Sequence, residues 1–575
     1  MQWSREGIAG MGWGRAARLS QSGGLLGRPD GLPHATGRPL RAAAGVIGLA
    51  GLAWLLANLP LFWAAAAVAA GSGGLLLLRF PHLAWPGLAL VLPFASAVKR
   101  GPVSAADVML GAAVLLWFVD GARKGRLRLN TGLLPALVVI YLLALLLSFP
   151  NAIDLQEAVE GVIKWLQMLV AVLLIQEALT TRQVRWLVWG LLAGGVLQAM
   201  LGIYQFVFRI GPPNFLLLDR FMRAAGTFGQ PNPFAGYLGL TLPVAVSLFL
   251  MNLSSIAGRP STGLRQAFAG MVLYGGAAAV IGAGLAASWS RGGWLGAAAG
   301  VGVVLFLQGG PLVKGAALAG VGTVMLLGPL AYRYIPSSLT DRLADLPAYL
   351  GTGMWEVVQQ PVTDGNFSVI ERLAHWIAAL RMWEMSPWLG VGPGNYAAVY
   401  PQVRLDRWED PLGHAHNTYL NVLAENGLVG IIAYLALWTG VVIWLICMRG
   451  RVLRRGRKQV DGQRSSQLPS VEQMPSMAWT AAVLSGVLGV IVHLSVHHVF
   501  DNLFVQGMYL HVAFWLGAAV ALVNGRRTGK VDAVPDSNFG AGGRDVNNLQ
   551  EIREHTALHP AQGRSGKIFK KRSAF

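Results

Sequence analysis

Apolar stretches long enough to form membrane-spanning helices recur along this chain from Ala42 to Val523, with few charged residues inside them. A helix needs about 20 apolar residues to cross the hydrocarbon core of a bilayer, and a helix satisfies its own backbone hydrogen bonds there. The composition agrees, since 54% of the residues are hydrophobic and only 13% are charged. The sequence therefore predicts an all-α integral membrane protein, built as a polytopic helix bundle, and excludes a soluble fold.

The alternation of apolar runs and charged gaps predicts about 12–14 transmembrane helices. The predicted spans begin near residues 42, 61, 82, 103, 132, 160, 185, 232, 268, 293, 311, 416, 476 and 503. They divide the chain into a basic tail (1–41), an N-terminal transmembrane bundle (42–335), a large loop containing helices (336–415), C-terminal transmembrane helices (416–523) and a second basic tail (524–575).

The basic residues indicate how the chain is oriented in the membrane. The net charge is +19, but the lysines and arginines lie in short segments between apolar runs, which argues against a nucleic-acid-binding face. Basic segments at 123–128, 182–185 and 449–458 fall on the side of the N-terminus, whereas the acidic segment 336–415 falls on the other side. Short basic loops tend to stay in the cytoplasm, so we expect both tails inside and segment 336–415 outside.

An arginine lies between two apolar runs in the segment 288–294, which reads Ser-Trp-Ser-Arg-Gly-Gly-Trp. A charged side chain at that depth is costly unless it reaches the membrane surface or binds an anion. Arg291 is therefore a candidate functional residue, and an anchor at the membrane surface would have the same sequence.

The large loop contains an amphipathic pattern and a glycine-rich turn. Apolar residues recur at helical spacing at Val369, Leu373, Trp376, Leu380 and Trp383. This spacing predicts an amphipathic helix that packs on the bundle or lies on the lipid surface. The turn at 390–396 follows it, and its backbone N–H groups could bind a phosphate or simply form a structural turn.

Two histidines, His414 and His416, lie where the large loop meets an apolar run. A neutral imidazole can accept a proton from a sugar hydroxyl, so histidine is the natural candidate for a base. A metal is not predicted, because we find no outer cluster of carboxylates or cysteines that would complete a site, and the chain has one cysteine. A further polar group suits either a cavity wall or hydrogen bonds between helices, and consists of His493, His497, His498 and Asp501.

Four motifs together resemble the O-antigen ligase and O-antigen polymerase superfamily of bacterial polytopic membrane glycosyltransferases. They are Gly-Thr-Phe-x-x-Pro-Asn at 226–232, Ser-Arg-Gly at 290–292, Pro-Trp-Leu-Gly-Val-Gly-Pro-Gly-Asn at 387–395, and His-Asn followed by Gly-x-x-Gly at 416–430. The resemblance implies that His416 and Arg291 are catalytic. It also implies three candidate substrate-binding residues, Arg223, Arg372 and Asn417. His414, the other histidine at the end of the large loop, is a fourth candidate.

The resemblance further implies transfer of a glycan from a polyprenyl-pyrophosphate donor, such as undecaprenyl pyrophosphate, to an acceptor hydroxyl during assembly of lipopolysaccharide or another cell-surface polysaccharide. The site would face outward from the bacterial cytoplasmic (inner) membrane. The donor is already activated, so the reaction needs a nucleophile and stabilisation of the leaving pyrophosphate, and neither a metal nor another cofactor is expected. The expected partners are the lipid-linked donor, a glycan, lipid or protein acceptor, and membrane lipids, with no nucleic acid.

Three alternatives remain open at this point. A ligase and a polymerase share the donor and differ only in the acceptor. A transporter or flippase for lipid-linked glycans would place its binding charges near the bilayer midplane, whereas the charged candidates here crowd one face. A metal-dependent oligosaccharyltransferase would use outer carboxylates, for which Asp154, Glu157 and Glu160 are available.

Overall fold

We describe the fold from a computed structural model of the chain. The structure describes residues 60–525 and five positions between 50 and 58, with gaps at 59, 101–102, 126, 128, 218–219, 257–260, 312, 316–318, 320–351, 364–365 and 464–473. The predicted tail 1–41, almost all of the tail 524–575 and most of the spans predicted from residues 42 and 311 lie outside the described residues.

The regular secondary structure of the described residues is helical apart from two short hairpins. This confirms the all-α prediction. The helices are α1 Leu61–Arg79, α2 Ala84–Ala95, α3 Ala105–Arg123, α4 Leu133–Ser148, α5 Leu155–Ala178, α6 Val184–Phe208, α7 Pro231–Gly239, α8 Leu242–Ile256, α9 Ser261–Ala287, α10 Arg291–Gln308, α11 Met354–Val358, α12 Phe367–Met385, α13 Tyr396–Val403, α14 Thr418–Gln463, α15 Met474–His497 and α16 Met508–Asn524. The antiparallel hairpins pair β1 Lys99–Arg100 with β2 Val103–Ser104, and β3 Leu216–Leu217 with β4 Phe221–Met222.

The helices have the length and apolar character of a multi-pass membrane protein. Within the described residues, eight helical segments are long and apolar enough to cross a membrane, and α1 with α2 forms a ninth if that pair, bent by 118°, is one span. The bend falls at Phe80, whose successor Pro81 disfavours a helical conformation in the residue before it. The predicted number of about 12–14 spans stays a prediction, because two of those spans lie largely outside the described residues.

The core of the bundle lies around α16, whose residues from Met508 to Leu522 are almost all buried. Small residues let neighbouring helices approach closely, as is common between membrane helices. A Cβ added at Gly517 would lie 2.9 Å from Ile175 Cβ, and one added at Gly300 would collide with the Gly489 carbonyl oxygen. These contacts hold α16 against α5, and α10 against α15.

One predicted loop is helical. The basic segment 449–458 is not a loop between spans, because α14 continues through it to Gln463. Arginine and lysine are good helix formers, so the helix extends beyond its apolar part. Arg449 joins three helices, with Nε donating to Ser485 Oγ at 2.7 Å and Nη2 donating to the Leu307 carbonyl oxygen at 2.8 Å.

Candidate active site

A cavity of about 340 Å³ lies where α10 and α12 meet the chain segments around Arg223 and Phe500. Three arginines line it, namely Arg223, Arg291 and Arg372. The apolar part of the wall consists of Trp289, Leu295, Met354, Val357, Val369, Leu373, Trp376 and Phe500. Guanidinium groups bind phosphates through paired hydrogen bonds, and the apolar wall suits a hydrocarbon chain attached to such an anion. We call this space the arginine cavity.

Arg291 is the first residue of α10, so it lies at the positive end of a helix. Ser290 caps that helix, with its Oγ accepting from the Gly293 N–H at 3.4 Å. Trp289 turns the chain between α9 and α10 in a left-handed conformation with a φ of 54°. Arg291 Nη2 donates to Ser368 Oγ at 3.2 Å, which ties α10 to α12. The helix N-terminus and the guanidinium both favour an anion at this point.

The Gly-Thr-Phe-x-x-Pro-Asn motif supports Arg223 rather than lining most of the cavity itself. Arg223 Nη2 donates to Asn232 Oδ1 at 3.2 Å, and Nε donates to the Ser288 carbonyl oxygen at 3.1 Å. Gly226 has a φ of 55°, and a Cβ there would lie 2.5 Å from Gln198 Oε1. The motif therefore packs closely against α6 and places Asn232 within hydrogen-bonding distance of Arg223.

Arg372 extends from α12 to the loop that follows α15. Its Nε donates to the Phe500 carbonyl oxygen at 3.2 Å, and its Nη1 donates to the Ser368 carbonyl oxygen at 2.8 Å. Burial lowers the pKa of the Arg372 guanidinium, whereas the nearby Asp501 carboxylate raises it. Arg372 thus lines the arginine cavity and also interacts electrostatically with Asp501.

Helix α12 confirms the predicted amphipathic helix, but the predicted apolar stripe is not its most buried face. The fully buried face is offset by about one residue and includes Ile370, Ala374, Ile377, Ala378 and Met382. The predicted stripe is half-buried, and its first three members line the arginine cavity. This end of the apolar stripe therefore forms part of the cavity wall.

His416 and Asp501 form a hydrogen-bonded pair beside the arginine cavity. His416 Nδ1 lies 3.3 Å from Asp501 Oδ1. Burial alone would raise the pKa of Asp501, but its hydrogen bond with His416 and the neighbouring imidazoles outweigh burial and hold that pKa well below its usual range. A carboxylate at Nδ1 fixes the proton there and leaves Nε2 as the proton-accepting nitrogen.

The backbone around His416 also holds the imidazole in place. His416 has a φ of 51°, a left-handed conformation that costs a non-glycine residue roughly 1 kcal/mol or more. His414 Nδ1 accepts a hydrogen bond from the His416 N–H at 3.1 Å. Burial lowers the pKa of His414 to about 4, so that ring is neutral near pH 7 and able to accept this bond.

Three side chains at this point have the geometry of metal ligands. His414, His416 and Asp501 each place one possible ligand atom within 4.8 Å of the other two. Asp501 Oδ1 lies 3.8 Å from His414 Nε2 and 3.3 Å from His416 Nδ1. Two histidines and a carboxylate are typical ligands of a catalytic zinc ion. We predicted no metal because we expected no carboxylate to complete the histidine pair. That expectation is wrong, because Asp501 lies beside both histidines.

Asp154, one of the carboxylates considered for a metal-dependent enzyme, has a structural role. Asp154 caps α5, with its Oδ1 accepting from the N–H groups of Gln156 at 2.9 Å and Glu157 at 3.2 Å. Among the residues that the structure describes, Asp154, Glu157 and Glu160 do not form a cluster able to hold a metal.

The loop after α15 connects the arginine cavity to the histidine–aspartate pair. Phe500 contacts Arg372 through its carbonyl oxygen, and the next residue, Asp501, contacts His416. Thr418, the first residue of α14, donates its Oγ1 proton to the Asp501 carbonyl oxygen at 3.0 Å. Adjacent residues of one loop therefore contact a cation of the arginine cavity and the candidate base.

The structure separates the predicted histidine group into different roles. His493 Nε2 lies 3.1 Å from the Gly236 carbonyl oxygen, and His498 Nδ1 lies 3.0 Å from the Tyr434 hydroxyl, so both join helices. His497 lines the arginine cavity. Asp501 is the residue that sequence reasoning missed as the partner of His416, because the two are 85 positions apart.

Asn417 has a structural role at the start of α14. Its Oδ1 accepts hydrogen bonds from the N–H groups of Tyr419 at 3.0 Å and Leu420 at 3.1 Å. Asn417 is therefore the N-cap of the helix that follows His416, and it sets the direction in which that helix leaves the site.

The glycine-rich turn also supports α14. The Val391 N–H donates to the Ala424 carbonyl oxygen at 3.0 Å, and the Gly392 N–H donates to the Glu425 carbonyl oxygen at 2.9 Å. These bonds form where α14 is broken at Gly427, which has a φ of 61° and a ψ of −162°. Two of the N–H groups suggested for phosphate are thus committed to the helix, and the turn is structural.

The long apolar helices define a polytopic membrane protein. Its arginine cavity lies beside a histidine–carboxylate pair, so the protein can hold an anion next to a base. Residues 276–435 match the family model described as O-antigen ligase. The match confirms the resemblance to the O-antigen ligase and polymerase superfamily, and it includes Arg291, Arg372 and His416. A comparison with curated proteins finds no match. Arg223 and Asp501 lie outside the matched residues, so their assignment depends on geometry.

Proposed function

We propose that this protein transfers a glycan from a polyprenyl-pyrophosphate donor to an acceptor hydroxyl, as an O-antigen ligase or polymerase at the outer face of a bacterial cytoplasmic membrane. The observation that carries the proposal is the position of the arginine cavity next to the His416–Asp501 pair. The family match supports a role in polysaccharide assembly. The alternation of basic and acidic segments supports the outward orientation.

The arginine cavity suits the pyrophosphate and the first part of the polyprenyl chain. Arg223, Arg291 and Arg372 would bind the phosphate oxygens through charge-assisted hydrogen bonds. Leu295 is 47% exposed and lines the same cavity, so the hydrocarbon chain can follow an apolar wall away from the phosphates. This division matches the two parts of a lipid-linked anion.

His416 then activates the acceptor. Its Nε2 accepts the proton of the acceptor hydroxyl while Asp501 holds the proton on Nδ1 and stabilises the imidazolium that forms. The acceptor oxygen forms a bond with the anomeric carbon, and the bond from that carbon to the pyrophosphate oxygen breaks. The electron pair leaves with the polyprenyl pyrophosphate, whose charge the arginines stabilise. The bond energy of the donor drives the transfer, so no nucleotide is consumed.

Substitutions of Arg291 and His416 test the proposal because they should fail differently. Arg291→Ala should weaken stabilisation of the leaving group, and Arg291→Lys should restore it only in part, because an ammonium lacks the paired donors of guanidinium. His416→Ala should keep donor binding and lose turnover by roughly a hundredfold or more. The assay uses purified protein in lipid nanodiscs with a defined undecaprenyl-pyrophosphate glycan, and lipid and glycan acceptors supplied separately.

Arg265→Ala and His82→Ala are matched controls, because Arg265 is exposed on α9 and both residues lie outside the arginine cavity. Both controls should transfer glycan at the parental rate. Parental rates for correctly folded Arg291→Ala and His416→Ala proteins would show that the catalytic assignment is wrong. The acceptor that supports transfer distinguishes a ligase from a polymerase.

A further inference from the structure

Helix α5 carries a polar stripe into the membrane. Gln156, Glu160, Lys164 and Gln167 are spaced by four, four and three residues, which places them on one face of the helix. Lys164 lies about 13 Å from the start of α5 at 1.5 Å per residue. Ionisable side chains at such depth are costly unless they face a polar cavity or a partner. The stripe therefore indicates that α5 borders a polar space.

A second cavity, of about 320 Å³, lies along this stripe. Its wall includes Ser104, Asp107, Glu160, Lys164, Gln506 and Tyr509. It shares no lining residue with the arginine cavity. The two cavities are therefore separate sites, and we call this one the polar cavity.

Hydrogen bonds hold the wall of the polar cavity in place. Asp107 Oδ1 accepts from Gln167 Nε2 at 2.8 Å, and Asp107 Oδ2 accepts from the Ser104 N–H at 2.7 Å. Tyr509 donates its hydroxyl proton to Gln167 Oε1 at 2.5 Å. This network joins α3, α5 and α16, so the cavity is formed before any ligand binds.

Gln506 gives a second indication of a ligand. Its Nε2 donates to the Phe228 carbonyl oxygen at 3.0 Å, whereas its Oε1 is buried and accepts no hydrogen bond from any described residue. A buried acceptor without a donor costs roughly 1–3 kcal/mol. The backbone of Gln506 also has a φ of 47°, so this residue is held in a left-handed conformation at the cavity wall.

The polar cavity borders the same loop that carries the partner of His416. That loop places Phe500 at the arginine cavity, Asp501 at His416, and residues 504–507 at the polar cavity. Three residues of extended chain span at most about 10 Å, so Phe504 begins the cavity wall within that distance of Asp501. The wall of the polar cavity therefore begins close to the residue that holds His416.

We propose that the polar cavity binds the acceptor saccharide, whose hydroxyl His416 deprotonates. This inference rests on the proposed function and assigns its second substrate. Asp107, Glu160 and Gln506 supply oxygen acceptors, and Lys164 supplies a donor, which together match the hydroxyl groups of a sugar. A polyprenyl pyrophosphate does not fit, because two carboxylates would repel its charge. The donor and acceptor therefore reach the His416–Asp501 pair from separate cavities.

Acceptor kinetics test the assignment. Glu160→Gln and Lys164→Met should each raise the acceptor KM by about tenfold and leave the donor KM unchanged, because each removes a contact made only with the acceptor. Lys124→Met is the matched control, because Lys124 is an exposed lysine just after α3 whose only described ion pair, at 2.7 Å, is with Asp120 in the last turn of that helix. An unchanged acceptor KM in both cavity variants would overturn the inference.

Cysteine protection tests binding without requiring turnover. The single native cysteine, Cys447, is replaced by serine, and Val505→Cys places a thiol in the polar cavity. A deacylated core oligosaccharide or a free repeat-unit oligosaccharide should slow maleimide labelling of Val505→Cys by several-fold. Leu295→Cys in the arginine cavity should be protected by undecaprenyl pyrophosphate and not by either sugar.

The outcomes separate the two proposals. If the parental protein transfers glycan but neither sugar protects Val505→Cys and both KM values are parental, the polar cavity is not the acceptor site and the proposed function stands. If the parental protein transfers no glycan, the proposed function falls, and protection of Val505→Cys by a sugar still supports a saccharide site. Protection of Val505→Cys by undecaprenyl pyrophosphate alone would overturn the inference.

Discussion

Replacing Asp501 with asparagine removes the negative charge that lies 3.3 Å from His416 Nδ1 and keeps the size of the side chain. Two unit charges at that distance interact by about 5 kcal/mol at an effective dielectric constant of 20, which is an upper limit for the stabilisation of the imidazolium. The asparagine dipole retains part of this energy. Each 1.36 kcal/mol lost is a tenfold change, so we expect a loss in kcat of roughly a hundredfold or more.

Transfer by Asp501→Asn is measured in a single turnover with saturating donor, and donor binding is measured separately. Donor binding should be parental, because the arginines are unchanged. The fold should also be kept, because Thr418 contacts the backbone oxygen of residue 501 and the Asn502 N–H can still donate to the amide oxygen. Asp501→Glu, which keeps the charge, should restore part of the rate. A parental single-turnover rate in Asp501→Asn would refute the pairing argument.

Three further predictions concern the metal, the pH and the topology. Transfer should proceed in excess chelator, and abolition by chelator with recovery on adding zinc would make His414, His416 and Asp501 a metal centre. The pKa of His414 in the folded protein, about 4, is below its ordinary value of 6.5, so its contribution to stability is complete above pH 6.5 and is lost as the pH falls toward 4. The Tm of the parental protein should therefore fall more steeply over that range than the Tm of His414→Asn, and equal slopes would contradict this. A reporter fused near Asp364 should lie outside the cytoplasm and one at the C-terminus inside, and a cytoplasmic signal near Asp364 would reverse the orientation.

The helical architecture could be predicted from the sequence, because backbone groups inside the lipid must form their hydrogen bonds within the protein. Runs such as 133–148 are apolar on every side, and a helix is the structure that satisfies their hydrogen bonds. The end of α14 was not predicted, because loss of hydrophobicity at Arg449 marks the end of the apolar part and not the end of the helix. Hydropathy predicts which part of a helix lies in lipid, whereas helix propensity influences where the helix ends.

The candidate site is readable in part. Arg291 was selected through a motif, and Arg223 and Arg372 through the family resemblance. The structure places all three in one cavity. The role of Asp501 depends on a loop that returns to a helix 85 positions earlier, and no local pattern encodes that contact. Lys164 was overlooked because a single lysine in an apolar run does not lower the hydropathy enough to be noticed.

The glycine-rich turn and the break in α14 have a consequence for protein engineering. A Cβ at Gly390 would collide with the backbone of Glu425 and Asn426, and one at Gly427 would collide with the backbone of Trp388 and Leu389. The glycine-rich turn and helix α14 are therefore interlocked and cannot be exchanged independently. A chimera that grafts segment 336–415 from another protein should carry residues through 430 as one module, and a chimera with its junction at 416 should misfold.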